Sequence, residues 1–214
     1  MARDAAHWLT ARILASEGPF RLVLSGGSTP KRLYQILAGQ TLPCDRLELF
    51  WGDERFVPPD HPDNNARMVR EAWLDRVPIP SAHIHPMEVS STPEQAAANY
   101  EILLRGLPPR PFLFDVTFLG LGEDGHTASL FPGTIALEEA QVWVRAVIGA
   151  KPEPRLTLTY PALQSSADVA FLVVGAGKRA MLQRLLAADA TIPAGRLRPA
   201  GRLTIFADQA AVGP

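Results

Sequence analysis

The chain has 214 residues, of which 47% are hydrophobic and 20% charged, and a formal net charge of −1. These figures predict one soluble domain, residues 1–214, with a sizeable core, and exclude general electrostatic attraction to nucleic acid or an anionic membrane. The single cysteine, Cys44, excludes an internal disulfide and fits a reducing compartment.

Elements follow one another in a regular alternation. MARDAAHWLTARILASEG at the start has apolar residues at roughly helical spacing, predicting a helix near 2–16. It lacks the basic start, long apolar middle and cleavage site of a signal peptide. A strand is predicted near 20–25 (FRLVLS), and the turn Ser25-Gly26-Gly27-Ser28-Thr29-Pro30 then opens a helix to about Ala38. A strand at 47–51 ends in Trp51-Gly52-Asp53-Glu54-Arg55, followed by a Pro/Asp-rich turn and a helix near 64–75. Another helix is expected near 93–105 and an apolar strand at 114–120. Strands follow at 142–148, 155–159 and 169–174, then a helix near 178–188 and a last strand at 203–206. The longest strongly apolar run, Val169 to Val174, is far too short to span a bilayer, so the expected location is cytoplasmic. Strands alternating with helices predict an α/β fold with a largely parallel sheet and helices on both faces.

Four turns at strand ends carry the chemistry. At Ser25–Pro30, paired glycines let backbone approach a ligand and the helix N-terminus attracts anions, although Ser28 as a cap with a nearby proline also suits an ordinary helix start. Gly175-Ala176-Gly177-Lys178-Arg179 again joins a strand to a helix. Cations in a first helical turn oppose its dipole, and Lys31 and Arg32 pose the same conflict. Two such starts are better explained by a bound anion such as phosphate. No G-x-x-x-x-G-K-[ST] pattern points to a nucleoside triphosphate. The charged corner at Asp53–Arg55 is by itself equally well a solvated corner.

The fourth turn, DVTFLGLGEDGHTASLFPG at 115–133, places Glu123, Asp124 and His126 among glycines at the carboxyl end of an apolar strand. That end of an open α/β sheet holds the ligand crevice, and histidine exchanges protons near neutral pH. Gly120 to Gly125 matches G-x-G-x-x-G literally. Pro132, however, cuts the expected following helix to about two turns, and the strand VWVRAVI ends without a ribose-binding acid, so a dinucleotide is rejected. Ser129 lies in no G-x-S-x-G elbow. His83 and His85 are the only closely spaced histidines, no acid cluster joins them, and they read as loop or strand-edge residues, so no metal site is indicated.

Together the segments LSGGSTPKRLYQIL (24–37), LELFWGDERFVPPDHPDNNARMVREAWL (47–74), FLGLGEDGHTASLFPG (118–133), KPEPRLTLTYPAL (151–163) and GAGKRA (175–180) resemble the 6-phosphogluconolactonase family, relatives of glucosamine-6-phosphate deaminase. The resemblance implies a three-layer α/β/α sandwich with a mostly parallel, Rossmann-like central sheet. It also implies hydrolysis of 6-phospho-D-glucono-1,5-lactone to 6-phosphogluconate. The deaminase has F-N-E-P-G shortly after its histidine. Here Ser129-Leu130-Phe131-Pro132-Gly133 lacks that acid, which favours the lactonase.

On this reading His126 is the base that activates water, with neither metal nor cofactor, and Asp124 orients it. Gly26, Gly27, Ser28 and Thr29 hold the phosphate with Lys178, and Arg55 or Arg155 joins them. Gly125 belongs to the same binding turn, while Asp53 and Asn65 meet sugar hydroxyls or support the loop. Backbone N–H groups of the glycine turns are candidates for the oxyanion. The expected partner is a small-molecule sugar-phosphate lactone, with no nucleic acid or membrane, bound by a monomer or homodimer. A deaminase or sugar-phosphate isomerase on the same scaffold, and a non-catalytic sugar-phosphate sensor, remain as alternatives.

Overall fold

A computed structural model describes residues 1–213. Helix α1 (Ala2–Ala15) precedes strand β1 (Phe20–Leu24) and helix α2 (Ser28–Leu37); β2 (Leu47–Trp51) and the short β3 (Asp53–Arg55) then lead to α3 (Asn65–Ala72). Next come β4 (Ile84–His85), α4 (Pro93–Arg105) and β5 (Phe114–Gly120). The chain continues through β6 (Val144–Val147), β7 (Arg155–Leu158), α5 (Tyr160–Gln164), β8 (Ser166–Val173), α6 (Arg179–Leu186), β9 (Arg202–Ala207) and α7 (Gln209–Val212).

Six strands form a parallel sheet in the order β4-β2-β1-β5-β8-β9. Every residue of β1 is buried, as are most of β5 and β8, because helices on both faces remove such strands from water. Capping is explicit in the flanking helices. Thr92 accepts the Gln95 N–H at 3.2 Å and Pro93 supplies the first residue of α4, while Asn64 accepts the Arg67 N–H of α3 at 2.8 Å.

Parallel pairing brings the carboxyl ends of β1, β2, β5 and β8 to one edge. After β1 the chain steps outward to β2, and later returns to the other side of β1 as β5. The crevice between β1 and β5 is therefore where strand order reverses, the place at which open α/β sheets bind ligands.

The strands expected at 142–148 and 155–159 exist, yet they do not join the parallel sheet. They form β6 and β7 of a separate antiparallel sheet, ordered β3-β7-β6. Gly52 hooks this sheet to the main one: its N–H donates to Leu24 O at 2.9 Å and its carbonyl accepts the Leu158 N–H at 2.8 Å. The small sheet thus roofs the crevice. The short helix expected after Gly125 is absent. Residues 122–126 close a turn instead, and Thr127 bridges Leu130. His83 ends a single helical turn and His85 lies in the edge strand β4, stacked on Phe50 at 4.8 Å. Among the described residues, no helix is long and apolar enough to cross a membrane.

Candidate active site

A cleft of about 310 Å³ opens at the β1–β5 crevice. One wall is the histidine turn. The Gly122 N–H donates to His126 O at 2.8 Å and the Gly125 N–H to Gly122 O at 3.1 Å, so the backbone folds back on itself directly after β5. A Cβ on Gly122 would lie 2.1 Å from His126 Nδ1, so only glycine lets the imidazole fold over the turn. Asp124 Oδ1 is 2.5 Å from His126 Nδ1 and also accepts the His126 backbone N–H at 3.1 Å. Partial burial raises the Asp124 pKa, but the hydrogen bonds and charge of His126 outweigh it and hold the carboxyl below its ordinary value. An ionised carboxylate only accepts, so Nδ1 is the donor, and in the neutral tautomer that leaves the imidazole lone pair on Nε2. The ring tilts against Phe131 with centroids 4.6 Å apart and lines the cleft.

The opposite wall is cationic. In the β3–β7 ladder Arg55 stands directly across from Arg155, a like-charged pair that an antiparallel sheet ordinarily avoids. Arg55 Nη1 donates to Asp63 O at 2.8 Å and Arg155 pairs with Glu153, yet the Nε of each arginine is buried without a partner. Burial, then the neighbouring Arg55 charge, lowers the Arg155 pKa from its ordinary value. Lys178 reaches the cleft from the end of the turn that leads into α6, and its Nζ lies 3.9 Å from Glu123. Lys151, from the β6–β7 connection, also lines it. These four cations face one lining acid, Asp53, and that carboxylate already accepts the Ser129 hydroxyl at 2.7 Å. An excess of positive charge in a half-enclosed space is an anion site.

The floor is a polar brace. Glu54 is completely buried and accepts N–H groups from Asn65 (2.7 Å), Ala66 (2.8 Å) and Arg55 (2.8 Å), tying β3 to the N-terminus of α3. Burial pushes its pKa up to about 7 despite those bonds. Asn65 is thereby aimed at the cleft. Its Nδ2 donates to Asp53 O at 2.9 Å, and its amide occupies the space that a Cβ on Gly26 would need, 1.8 Å away. Tyr34 secures the neighbouring strand end, accepting the Ser25 N–H at 2.9 Å and donating to Ser25 O at 3.0 Å.

The fold brings His126, Gly26, Asp53, Arg55, Asn65, Arg155 and Lys178 to one cleft. Other expected residues stand behind or beside it. Asp124 does not line this cleft but contacts His126, which does. Gly125 is buried with φ +81°, packs on Ile192 and accepts the Ala194 N–H at 2.9 Å, so it supports the turn and is not among the residues lining the cleft. Gly27 (φ +102°), Ser28 and Thr29 do not line the cleft; they follow Gly26, which does, where α2 begins without a side-chain cap. Ser28 is the first helical residue; the cap position belongs to Gly27. Lys31 and Arg32 do not line the cleft, and Arg32 hydrogen-bonds Gln35 of its own helix at 3.3 Å. Arg179 turns away to Ala210 O at 3.2 Å. The N–H groups of Gly122, Gly125 and His126 are all spent within the turn, which removes them as oxyanion donors. Ser25, Ser129 and Lys151 line the cleft without having been singled out as ligands; Lys151 opens the KPEPR segment, and a cation between Gly149 and two prolines was the available signal.

Residues 1–206 match the family described as glucosamine-6-phosphate isomerases/6-phosphogluconolactonase. A 6-phosphogluconolactonase of Nostoc sp. is 45% identical over 208 residues, covering 92% of this chain and 85% of the relative. Another, from Synechocystis sp., is 45% identical over 218 residues, covering 95% and 89%. The crystal structure of 6-phosphogluconolactonase from Thermotoga maritima superposes with a TM-score of 0.88 at 32% identity, covering 96% of this chain and 94% of that one. The same segments that build the cleft run through the matched region, and the chain belongs to the glucosamine-6-phosphate isomerase/6-phosphogluconolactonase family.

Proposed function

We propose that this protein hydrolyses 6-phospho-D-glucono-1,5-lactone to 6-phospho-D-gluconate, with His126 as general base. One observation carries the reading: an imidazole with Nδ1 on a carboxylate faces the same cleft as Arg55, Arg155 and Lys178. A proton acceptor and an anion site thus share one small volume. The names of the relatives support the substrate class.

A strained 1,5-lactone is reactive enough to need a positioned base and no covalent nucleophile. His126 Nε2 takes a proton from water as the water oxygen bonds to C1. The tetrahedral intermediate then breaks its C1–O5 bond, and the imidazolium returns the proton to O5. Such proton transfer contributes about 10²–10⁴-fold. Asp124 fixes the tautomer and stabilises the imidazolium without accepting the proton. The phosphate is held by Lys178, Arg55 and Arg155 against the uncapped N-terminus of α2 at Gly27-Ser28-Thr29, and Asp53 and Asn65 meet sugar hydroxyls. Holding the remote phosphate fixes C1 against His126, so the cations influence turnover as well as affinity. Among the described residues no group of three or more His, Cys, Asp or Glu could hold a metal ion.

The test generates the lactone in situ from glucose 6-phosphate and reads product through 6-phosphogluconate dehydrogenase, with the spontaneous rate subtracted. Wild-type protein accelerates hydrolysis, and His126→Ala loses most of that acceleration while remaining folded. A variant with near-full activity removes His126 as the base. Folded wild-type protein that gives no acceleration, and instead releases ammonia from glucosamine 6-phosphate or only binds sugar phosphates, overturns the assignment.

A further inference from the structure

We propose that Lys151 is a further catalytic residue, whose ammonium meets the lactone carbonyl oxygen at C1 as that oxygen becomes negative. The inference rests on the lactonase reading above and concerns the other end of the substrate from the phosphate.

Three observations converge on it. Lys151 Nζ lies 5.0 Å from the centroid of Phe131, and that same ring is 4.6 Å from the His126 imidazole. One ring therefore neighbours both the Lys151 cation and the His126 imidazole, and all three line the cleft. Second, the other cleft cations already have partners: Arg155 has Glu153, Lys178 has Glu123 at 3.9 Å, and Arg55 donates to Asp63 O. Among the described residues Lys151 makes no ion pair, so its charge is uncommitted. Third, the histidine turn offers no oxyanion site from the N–H groups of Gly122, Gly125 or His126, since each already has an acceptor. General base attack generates a full negative charge on the carbonyl oxygen, and a half-enclosed cleft that supplies a base without a counter-charge would leave that charge poorly supported.

The covalent geometry of the substrate separates the two anionic centres. The phosphate is attached to C6, and the shortest covalent path from it to C1 runs through the ester oxygen, C6, C5 and the ring oxygen. Cations holding the phosphate are thus not the ones at C1. Lys151 is placed for C1 by its loop. It follows Gly149, whose φ is +81°, and precedes Pro152 and Pro154, which restrict the backbone between β6 and β7. The side chain stands at the seam between the cleft and a neighbouring groove that also touches Asp124.

In the reaction, the water oxygen bonds to C1 while His126 Nε2 removes the proton. The C1=O π pair moves onto the carbonyl oxygen, where Lys151 donates a hydrogen bond and keeps its proton. Collapse restores the C=O bond and breaks C1–O5, and the proton on Nε2 passes to O5. One lactone and one water give one hydroxy acid, with no change of oxidation state.

The experiment compares Lys151→Gln, Lys151→Arg and Lys178→Ala on 6-phosphogluconolactone and on unphosphorylated glucono-1,5-lactone, with inorganic phosphate as the binding probe by calorimetry. Lys151 is exposed, so its variants fold. Loss of one oxyanion donor costs on the order of 10²-fold in kcat. Lys151→Gln is expected to lose kcat by a similar factor on both lactones and to bind phosphate like wild type, with partial recovery in Lys151→Arg. Lys178→Ala is expected to show the opposite pattern. A Lys151→Gln loss confined to the phosphorylated lactone, or phosphate binding weakened as in Lys178→Ala, makes Lys151 a phosphate ligand and overturns the inference. Unchanged kcat does the same; both results leave the lactonase reading standing. Wild-type protein inactive on both lactones overturns that reading, and the role of Lys151 with it.

Discussion

Substituting Gly125 by alanine tests the coupling between the histidine turn and the segment behind it. Two costs are readable from the structure. The backbone at Gly125 has φ +81°, a region that costs an L residue about 1–2 kcal/mol. The added Cβ would also lie 2.7 Å from Ile192 Cβ and 2.9 Å from its Cγ2. Both distances fall inside the ~3.5–4.0 Å optimum for carbon contacts. Neither partner atom is the far end of a flexible chain, so the turn or the segment must shift, and overpacking of this kind costs about 1–3 kcal/mol. The sum is about 2–5 kcal/mol, which for a chain of this size lowers Tm by roughly 4–20 °C. Gly149 supplies the control. It has the same φ of +81° but nothing within 4 Å of its added Cβ, so Gly149→Ala carries the backbone cost alone. Because Gly125 immediately precedes His126, the shift also misplaces the imidazole, and a displacement near 1 Å costs about 10²-fold in rate. Thermal melts followed by circular dichroism, with kcat measured at a temperature where each variant is folded, read both effects. Equal Tm losses at the two glycines, with full activity in Gly125→Ala, would refute the claim that Ile192 sets the position of the turn.

Two further outcomes are expected. Lys178→Ala weakens hydrolysis of the phosphorylated lactone far more than that of unphosphorylated gluconolactone, measured as kcat/KM for each; equal losses would remove Lys178 from the phosphate site. Glu54 gives a pH signature. Burial raises its folded pKa from 4.5 to about 7, so between those values the folded state binds more protons than the unfolded chain. Stability from this group is therefore fully present below pH ~4.5 and is lost as pH rises through ~7, with a slope of at most about 1.4 kcal/mol per pH unit. Urea titrations from pH 5 to 8 detect it, and Glu54→Gln flattens the decline; superimposable profiles for wild type and variant would show that Glu54 is not the group responsible.

Much of the site was legible because catalysis at a strand end needs residues that are locally conspicuous. Glycines punctuate β5 where the chain must reverse, and His126 with Asp124 two residues earlier can interact within a single turn. The paired glycines after β1 and the lysine before α6 likewise belong to local strand-to-helix junctions. The cations Lys31, Arg32 and Arg179 misled for the same local reason: helical position alone does not say which face of the helix meets the cleft. Gly125 was legible as a special backbone position, but its contact lies in Ile192 and Ala194, far along the chain.

Sequence alone thus determined the central elements and the histidine turn, since apolar runs, periodicity and glycine punctuation act over a few residues. It also sufficed to place the chain in its family. Only the tertiary structure decided that 142–148 and 155–159 belong to a separate antiparallel sheet. Three charged residues, Asp53-Glu54-Arg55, read by themselves equally well as a solvated corner or as part of a site until Thr157, Leu156 and Arg155 are set opposite them. That pairing opposes Arg55 to Arg155 across about a hundred residues of chain, and it carries Lys151 over Phe131. Strand partners, and the charges they bring together, are products of long-range register, and no local pattern of residues encodes them.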